Sequence, residues 1–81
     1  MTQADIEAFI IRHWKQRAQD KGLDLGVIGP SSDLLETSGS MDSLDLAVLV
    51  ALLEEYTGRD PLAAGTAEFR TISDLARLYV E

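Results

Sequence analysis

The sequence predicts an all-α fold: a small four-helix bundle, made of three main helices plus a short third helix, with a long loop between helices one and two. Apolar residues recur every three or four positions in three segments, and a helix-capping pattern precedes each segment. No segment shows the alternation of apolar and polar residues that a half-buried strand requires. With 81 residues, 46% of them hydrophobic, we expect one domain over residues 1–81 with a modest core.

The first helix is predicted over about residues 3–19. Thr2 followed by Asp5 forms a capping-box pattern, and apolar residues then repeat at helical spacing: Ile6, Phe9, Ile10 and Trp14. Cations in the last turns suit the negative end of the helix dipole: Arg12, Lys15 and Arg17. We interpret His13 as a surface histidine beside a buried tryptophan rather than as a ligand.

Residues 20–41 are rich in glycine and serine and predict one long loop. Structureless connections of this length in small domains are usually functional or disordered. Apolar residues are nevertheless spread through it: Leu23, Leu25, Val27, Ile28, Leu34 and Leu35. Because their burial would offset part of the entropy lost on ordering, we expect a loop pinned to the core.

The second helix is predicted over about residues 43–57 and is apolar on two opposite faces. Asp42 is its expected N-cap, and Gly58 is placed to end it. One face should join the core: Leu46, Leu49, Val50 and Leu53. The opposite face carries Leu44, Val48, Ala51 and Glu55. A domain needs only one apolar face for its own core, so the second face predicts a docking surface beside Ser43. Burial of this face under the short third helix is the alternative.

Two further helices are predicted towards the end of the sequence. Residues 61–69 could form one or two short helical turns, interrupted by Gly65. Thr71 with Asp74 repeats the capping-box pattern. An apolar stripe then follows: Ile72, Leu75, Ala76, Leu78 and Tyr79.

Composition excludes several classes of function. Seven cations against fourteen acids give a formal charge of -7, which disfavours nucleic acid and favours a basic partner. The chain has no cysteine and a single histidine, so we expect no protein thiol nucleophile and no metal site. No segment is long enough to span a membrane, and no basic, apolar leader precedes helix one. We expect a soluble, cytoplasmic monomer.

A long loop, an acid, a serine, a leucine and a helix with a spare apolar face follow one another in this chain. The sequence resembles the acyl carrier protein family over essentially its whole length. The most specific part is residues 41–45, Met-Asp-Ser-Leu-Asp, followed by Leu49-Val50 and Leu53-Glu54-Glu55.

The resemblance implies that Ser43, preceded by Asp42, carries a 4'-phosphopantetheine arm, transferred from coenzyme A by a phosphopantetheinyl transferase with magnesium. The arm's thiol would hold an acyl or aminoacyl group as a thioester, so the chain itself would not be an enzyme. A loading ligase and downstream synthase or transferase enzymes are the other implied partners. Acidic positions that face basic partners in the family match Asp42, Asp45, Glu54 and Glu55; a solvated helix charge is the alternative for each.

Two positions depart from the family pattern. Ser40 stands where the family commonly has glycine, with Gly39 one residue earlier. Val48 stands where many fatty-acid carriers have glutamate, so the expected partner contacts, Leu44, Val48 and Ala51, form a more apolar face. This favours a dedicated partner in specialised metabolism. Fatty acyl, polyketide, amino acid and D-alanine cargoes all stay open.

Two other functions compete with a free-standing carrier. An unmodified helical interaction module would use the same apolar face to bind a partner or itself. An enzyme with Ser43 as nucleophile is disfavoured, because His13 lies on another helix and no glycine-rich elbow surrounds the serine.

Overall fold

Three α-helices make up the regular structure of the computed structural model, which describes residues 2–34, 41–62 and 68–80. Helix α1 spans Gln3–Asp20, α2 spans Ser43–Thr57 and α3 spans Ile72–Tyr79. The described residues contain no strand, and one isolated β-bridge joins Asp33 to Thr71. The all-α prediction is confirmed. The short helix predicted within residues 61–69 falls largely on residues 63–67, which lie outside the described ranges.

Each helix begins with a capping box. The N-caps are Thr2, Asp42 and Thr71, and the side chain of the residue three positions later returns a bond to the N-cap amide: Asp5, Asp45 and Asp74. A capping box satisfies two of the backbone N–H groups that a helix start leaves unpaired. All three helix starts are therefore encoded locally, and all three predicted caps are confirmed.

The core is formed by α1 and α3 together with one side of α2. From α1 and α3 it takes Ile6, Ile10, Trp14, Ala18, Ile72, Leu75, Ala76 and Tyr79. From α2 it takes Leu49 and Leu53, whereas Leu46 and Val50 are only partly buried. Arg17, near the end of α1, contacts Asp45 at the start of α2, whereas Phe9, in the first half of α1, stacks on Tyr56 near the end of α2. The two helices therefore run antiparallel.

The loop after α1 is fastened to the start of α3. Leu34 donates its amide to the Arg70 carbonyl at 3.1 Å, and Ile72 donates to the Ser32 carbonyl at the same distance. Ile28 and Leu34 are buried, while Leu23 and Leu25 pack partly against the core. The pinned-loop prediction is thus confirmed for these residues. It is wrong for Val27, which is 100% exposed, and Leu35 lies outside the described residues.

Helix α2 ends at Gly58 in the left-handed conformation, with φ of +71°, and the Gly58 amide donates to the Glu54 carbonyl. A Cβ at this position would meet no atom within 4 Å, so only backbone strain opposes a side chain. Gly58→Ala is expected to lower the free energy of unfolding by about 1 kcal/mol, measured by urea titration followed by circular dichroism. Gly29→Ala is the matched control, because Gly29 has equally open space and no positive φ; an equal loss there would contradict the prediction.

Candidate functional site

Ser43 is the first residue of α2 and is exposed to solvent. Asp42, the N-cap, precedes it in extended conformation, with φ of -129° and ψ of -174°. The Asp42 Oδ1 atom accepts hydrogen bonds from the Leu44 and Asp45 amides, both at 3.1 Å. Aspartate is among the residues best suited to this position, because its carboxylate reaches back to the second and third amides of the helix. The local sequence therefore places Ser43 at the N-terminus of α2, where the Asp42 cap holds the first turn.

The surroundings of Ser43 suit an anion. Within the described part of the chain, neither its backbone N–H nor its hydroxyl has a hydrogen-bond partner outside the helix. The aligned peptide dipoles of a helix give its N-terminus a partial positive charge, which favours a phosphate group there. The Asp42 carboxylate is already engaged by two amides, which lessens its repulsion of such a group. The serine is thus chemically compatible with a phosphodiester.

Asp45 is placed differently from the prediction that it faces a partner. Its side chain is only 2% exposed; Oδ1 accepts from Arg17 Nε at 2.5 Å and Oδ2 accepts from Lys21 Nζ at 2.6 Å. Oδ2 also accepts the Asp42 amide at 2.9 Å, closing the capping box. These bonds, to Lys21 first, then to the Asp42 amide and Arg17, hold the pKa of Asp45 well below its usual range. The carboxylate faces the end of α1 and not the solvent.

The spacing of two cations in the sequence is consistent with this ion pair. Arg17 and Lys21 are four residues apart and therefore lie on one side of the end of α1. From the sequence, Arg17 is expected only to complement the helix dipole. A buried acid opposite two cations could be suspected from that spacing, but which acid meets them depends on how the helices pack.

The second apolar face of α2 is partly exposed. Leu44 is 67% exposed, Ala51 is exposed and Val48 is half-buried. We call these three residues the apolar stripe. None belongs to the core cluster, and an exposed leucine beside Ser43 leaves an apolar surface next to the serine.

The two glutamates near the end of α2 differ in their surroundings. Glu55 is exposed, whereas Glu54 is half-buried and its pKa is raised, first by a hydrogen bond with Asp60 and then by burial. Nearby Tyr79 is buried, and burial together with the charges of Glu54 and Asp60 raises the pKa of Tyr79 to about 12. Glu54 therefore interacts within the chain, while Glu55 is open to solvent.

A cavity of about 160 Å³ lies between α1 and α2. Its walls include Trp14, Arg17, Asp45 and Leu49, together with His13, Gln16, Asp20, Val48 and Leu52.

The His13 ring packs on Phe9, with ring centroids 4.3 Å apart, and Phe9 stacks on Tyr56 at 4.1 Å. Nothing in the sequence indicates this aromatic contact, because Phe9 and Tyr56 are far apart in the chain.

Two further findings concern only the described residues. No group of three or more His, Cys, Asp or Glu side chains is arranged to hold a metal ion. None of the helices there has the length and apolar character needed to cross a membrane.

Comparison with known proteins identifies the family. A family model described as a phosphopantetheine attachment site matches residues 15–79, which include α2, α3 and the intervening segments. Neither a curated protein nor a solved structure gives a significant match. Since the family model covers most of the chain, the protein belongs to the phosphopantetheine attachment family of acyl-carrier-like proteins, whose members carry covalently attached 4'-phosphopantetheine.

Proposed function

We propose that Ser43 is the attachment site and that the protein carries acyl or aminoacyl intermediates as thioesters. The observation that carries the proposal is the exposed Ser43 hydroxyl at the first position of α2, inside the matched region. Asp42 caps the same helix and so positions the serine. The role is that of a carrier which presents its cargo to enzymes and performs no chemistry on it.

The residues around Ser43 fit a phosphodiester. The Ser43 amide lies at the positive end of a 15-residue helix, where an anion is stabilised by about 0.3 to 1 kcal/mol. The bound arm supplies a thiol, which the chain lacks because it contains no cysteine. No protein thiol in this chain can therefore intercept the thioester.

Attachment requires one displacement at phosphorus. The Ser43 hydroxyl oxygen forms a new bond to the pantetheine-bearing phosphorus of coenzyme A, while the phosphoanhydride bond breaks and adenosine 3',5'-bisphosphate leaves. The hydroxyl proton passes to the transferase or to water. The chain contributes by presenting the hydroxyl at the start of α2. Asp42 fixes this helix start by accepting hydrogen bonds from two backbone amides.

Partners are proposed to dock on the apolar stripe and the acids beside it. Leu44 and Ala51 are exposed on one side of α2, with Glu55 further along the helix. The net charge of -7 favours basic partner surfaces by electrostatic steering. These partners are a phosphopantetheinyl transferase, a loading ligase and a downstream synthase or transferase. Val48 makes the face more apolar, which supports a dedicated partner in specialised metabolism.

The 67% exposure of Leu44 also supports a second candidate, an unmodified interaction module. In that function the stripe would bind a protein partner without any arm on Ser43. Ser43→Ala would then leave partner binding intact, whereas Val48→Asp would abolish it. A carrier instead loses its function with Ser43→Ala alone.

The decisive experiment is the intact mass before and after incubation with coenzyme A, magnesium and a broad-specificity phosphopantetheinyl transferase. We expect the wild type to gain one phosphopantetheine and Ser43→Ala to gain none, with the fold of both checked by circular dichroism. Ser73→Ala is the matched control, because Ser73 lies in the first turn of α3 and should not affect the gain. Modification of Ser43→Ala, or of no protein at all, would contradict the proposal.

A further inference from the structure

All three capping boxes have an aspartate at the third helical position, but these aspartates differ in burial and in their charged neighbours. Asp5, Asp45 and Asp74 each occupy the third position of a helix and bond to the N-cap amide. Asp5 is exposed, and Asp74 is half-buried with one longer contact to Arg77 at 3.4 Å. Asp45 alone of the three is fully buried and paired with two cations. Capping by itself therefore does not account for the arrangement around Asp45.

A single carboxylate joins the end of α1 to the start of α2. Arg17 Nε and Lys21 Nζ bind its two oxygens at 2.5 and 2.6 Å, and the Asp42 amide binds one of them at 2.9 Å. Both cations are about one-third exposed, so the carboxylate is enclosed while the cations reach the surface. We call Asp45, Arg17 and Lys21 the Asp45 clamp. Ser43 lies between the N-cap and the clamped residue, within the same helical turn.

Charged groups held this way restrict the relative position of two helices. A buried carboxylate that loses a cation is left poorly compensated, so displacement of α1 from the start of α2 is opposed. The hydrogen bond that the Asp42 amide donates to the Asp45 carboxylate transmits this restriction to the backbone on either side of Ser43. The orientation of the serine is thereby tied to the end of α1.

We propose that Asp45, with Arg17 and Lys21, is a positioning group that holds Ser43 in the geometry a phosphopantetheinyl transferase recognises. The inference rests on the proposed attachment at Ser43. It differs from direct contact between Asp45 and a basic partner, which the 2% exposure of the side chain opposes. The Asp45 clamp acts before the chemical step. It raises the fraction of molecules in which the first turn of α2 has the conformation that the transferase binds.

This role predicts a specific kinetic signature. When only a fraction of molecules is competent, the apparent affinity falls by that fraction while the bound complex reacts normally. If Asp45→Asn leaves one molecule in ten competent, KM of the transferase for this protein rises about tenfold and kcat stays within about twofold. A residue that only stabilises the fold would change neither parameter well below the melting temperature.

The test measures kcat and KM for modification by intact mass, with every variant checked by circular dichroism. Asp45→Asn removes the charge and should raise KM, whereas Asp74→Asn alters the equivalent capping position of α3 and should not. Arg17→Gln combined with Lys21→Gln leaves the capping box intact and should also raise KM. This double variant keeps the test decisive if Asp45→Asn does not fold.

The outcomes separate the alternatives. An unchanged KM in both Asp45→Asn and the double variant would overturn the positioning role while leaving attachment at Ser43 standing. A higher KM in Asp45→Asn with a lower KM in the double variant would indicate direct contact, because losing the two cations frees the acid for a basic enzyme. A wild type that accepts no arm would overturn the proposed function itself.

Discussion

Replacing Leu53 with alanine is expected to lower the free energy of unfolding by about 2 to 5 kcal/mol. Leu53 is 0% exposed and belongs to the core, so its removal leaves a cavity that neighbouring side chains can fill only in part. A domain of this size has a total stability of about 4 to 12 kcal/mol, so the loss is a large share of it. Urea titration followed by circular dichroism measures the difference.

Leu44→Ala is the matched control for this prediction. It is the same substitution in the same helix, but Leu44 is 67% exposed, so its stability should change by no more than about 0.5 kcal/mol. The pair separates core residues from the proposed docking residues of α2, because only Leu44→Ala is expected to weaken partner binding while the protein stays fully folded. Equal losses of stability at both positions would contradict the assignment of the two faces of α2.

Asp45→Asn is expected to lower the urea midpoint at pH 7 by about 1 M and to lose this effect in acid. Lys21, the Asp42 amide and Arg17 all stabilise the ionised carboxylate, so the pKa of Asp45 is lower in the folded chain than in the unfolded one. Such a group contributes its full stability above the unfolded pKa of about 3.9. The contribution is lost as pH falls from there towards the folded pKa.

The measurement is a series of urea midpoints between pH 7 and pH 2.5 for the wild type and the variant. The two curves should be far apart at neutral pH and converge below about pH 4. Asp74→Asn should show a smaller gap, since the pKa of Asp74 is lowered mainly by capping bonds to Thr71. A gap for Asp45→Asn that stays constant over this range would show that its charge is not responsible.

Features that depend on neighbouring residues could be predicted from the sequence. The three capping boxes, the end of α2 at Gly58 and the exposed positions of Leu44 and Ala51 all follow from spacing within one helix. Capping and helical periodicity act over a few residues, so the local sequence contains the information needed. The placement of Ser43 at the first position of α2 follows from the same local signals.

Features that depend on packing between helices could not be predicted in the same way. Asp45 binds Arg17 and Lys21, which are 28 and 24 residues away in the sequence. In the sequence, the capping-box pattern that contains Asp45 does not differ from those that contain Asp5 and Asp74. Only the packing of α1 against α2 distinguishes them. The exposure of Val27 has the same origin, because an apolar residue in a loop gives no sign of whether the core has room for it.

Trp14 is placed so that its fluorescence can report on the packing between α1 and α2. It is the single tryptophan of the chain, is 1% exposed, and forms part of the cavity wall together with Arg17 and Asp45. Its indole N–H has no hydrogen-bond acceptor among the described residues, so emission should be typical of an apolar site. Unlabelled protein can therefore report, through the emission wavelength of its single tryptophan, whether a change at Ser43, at the start of α2, alters the surroundings of Trp14 between α1 and α2.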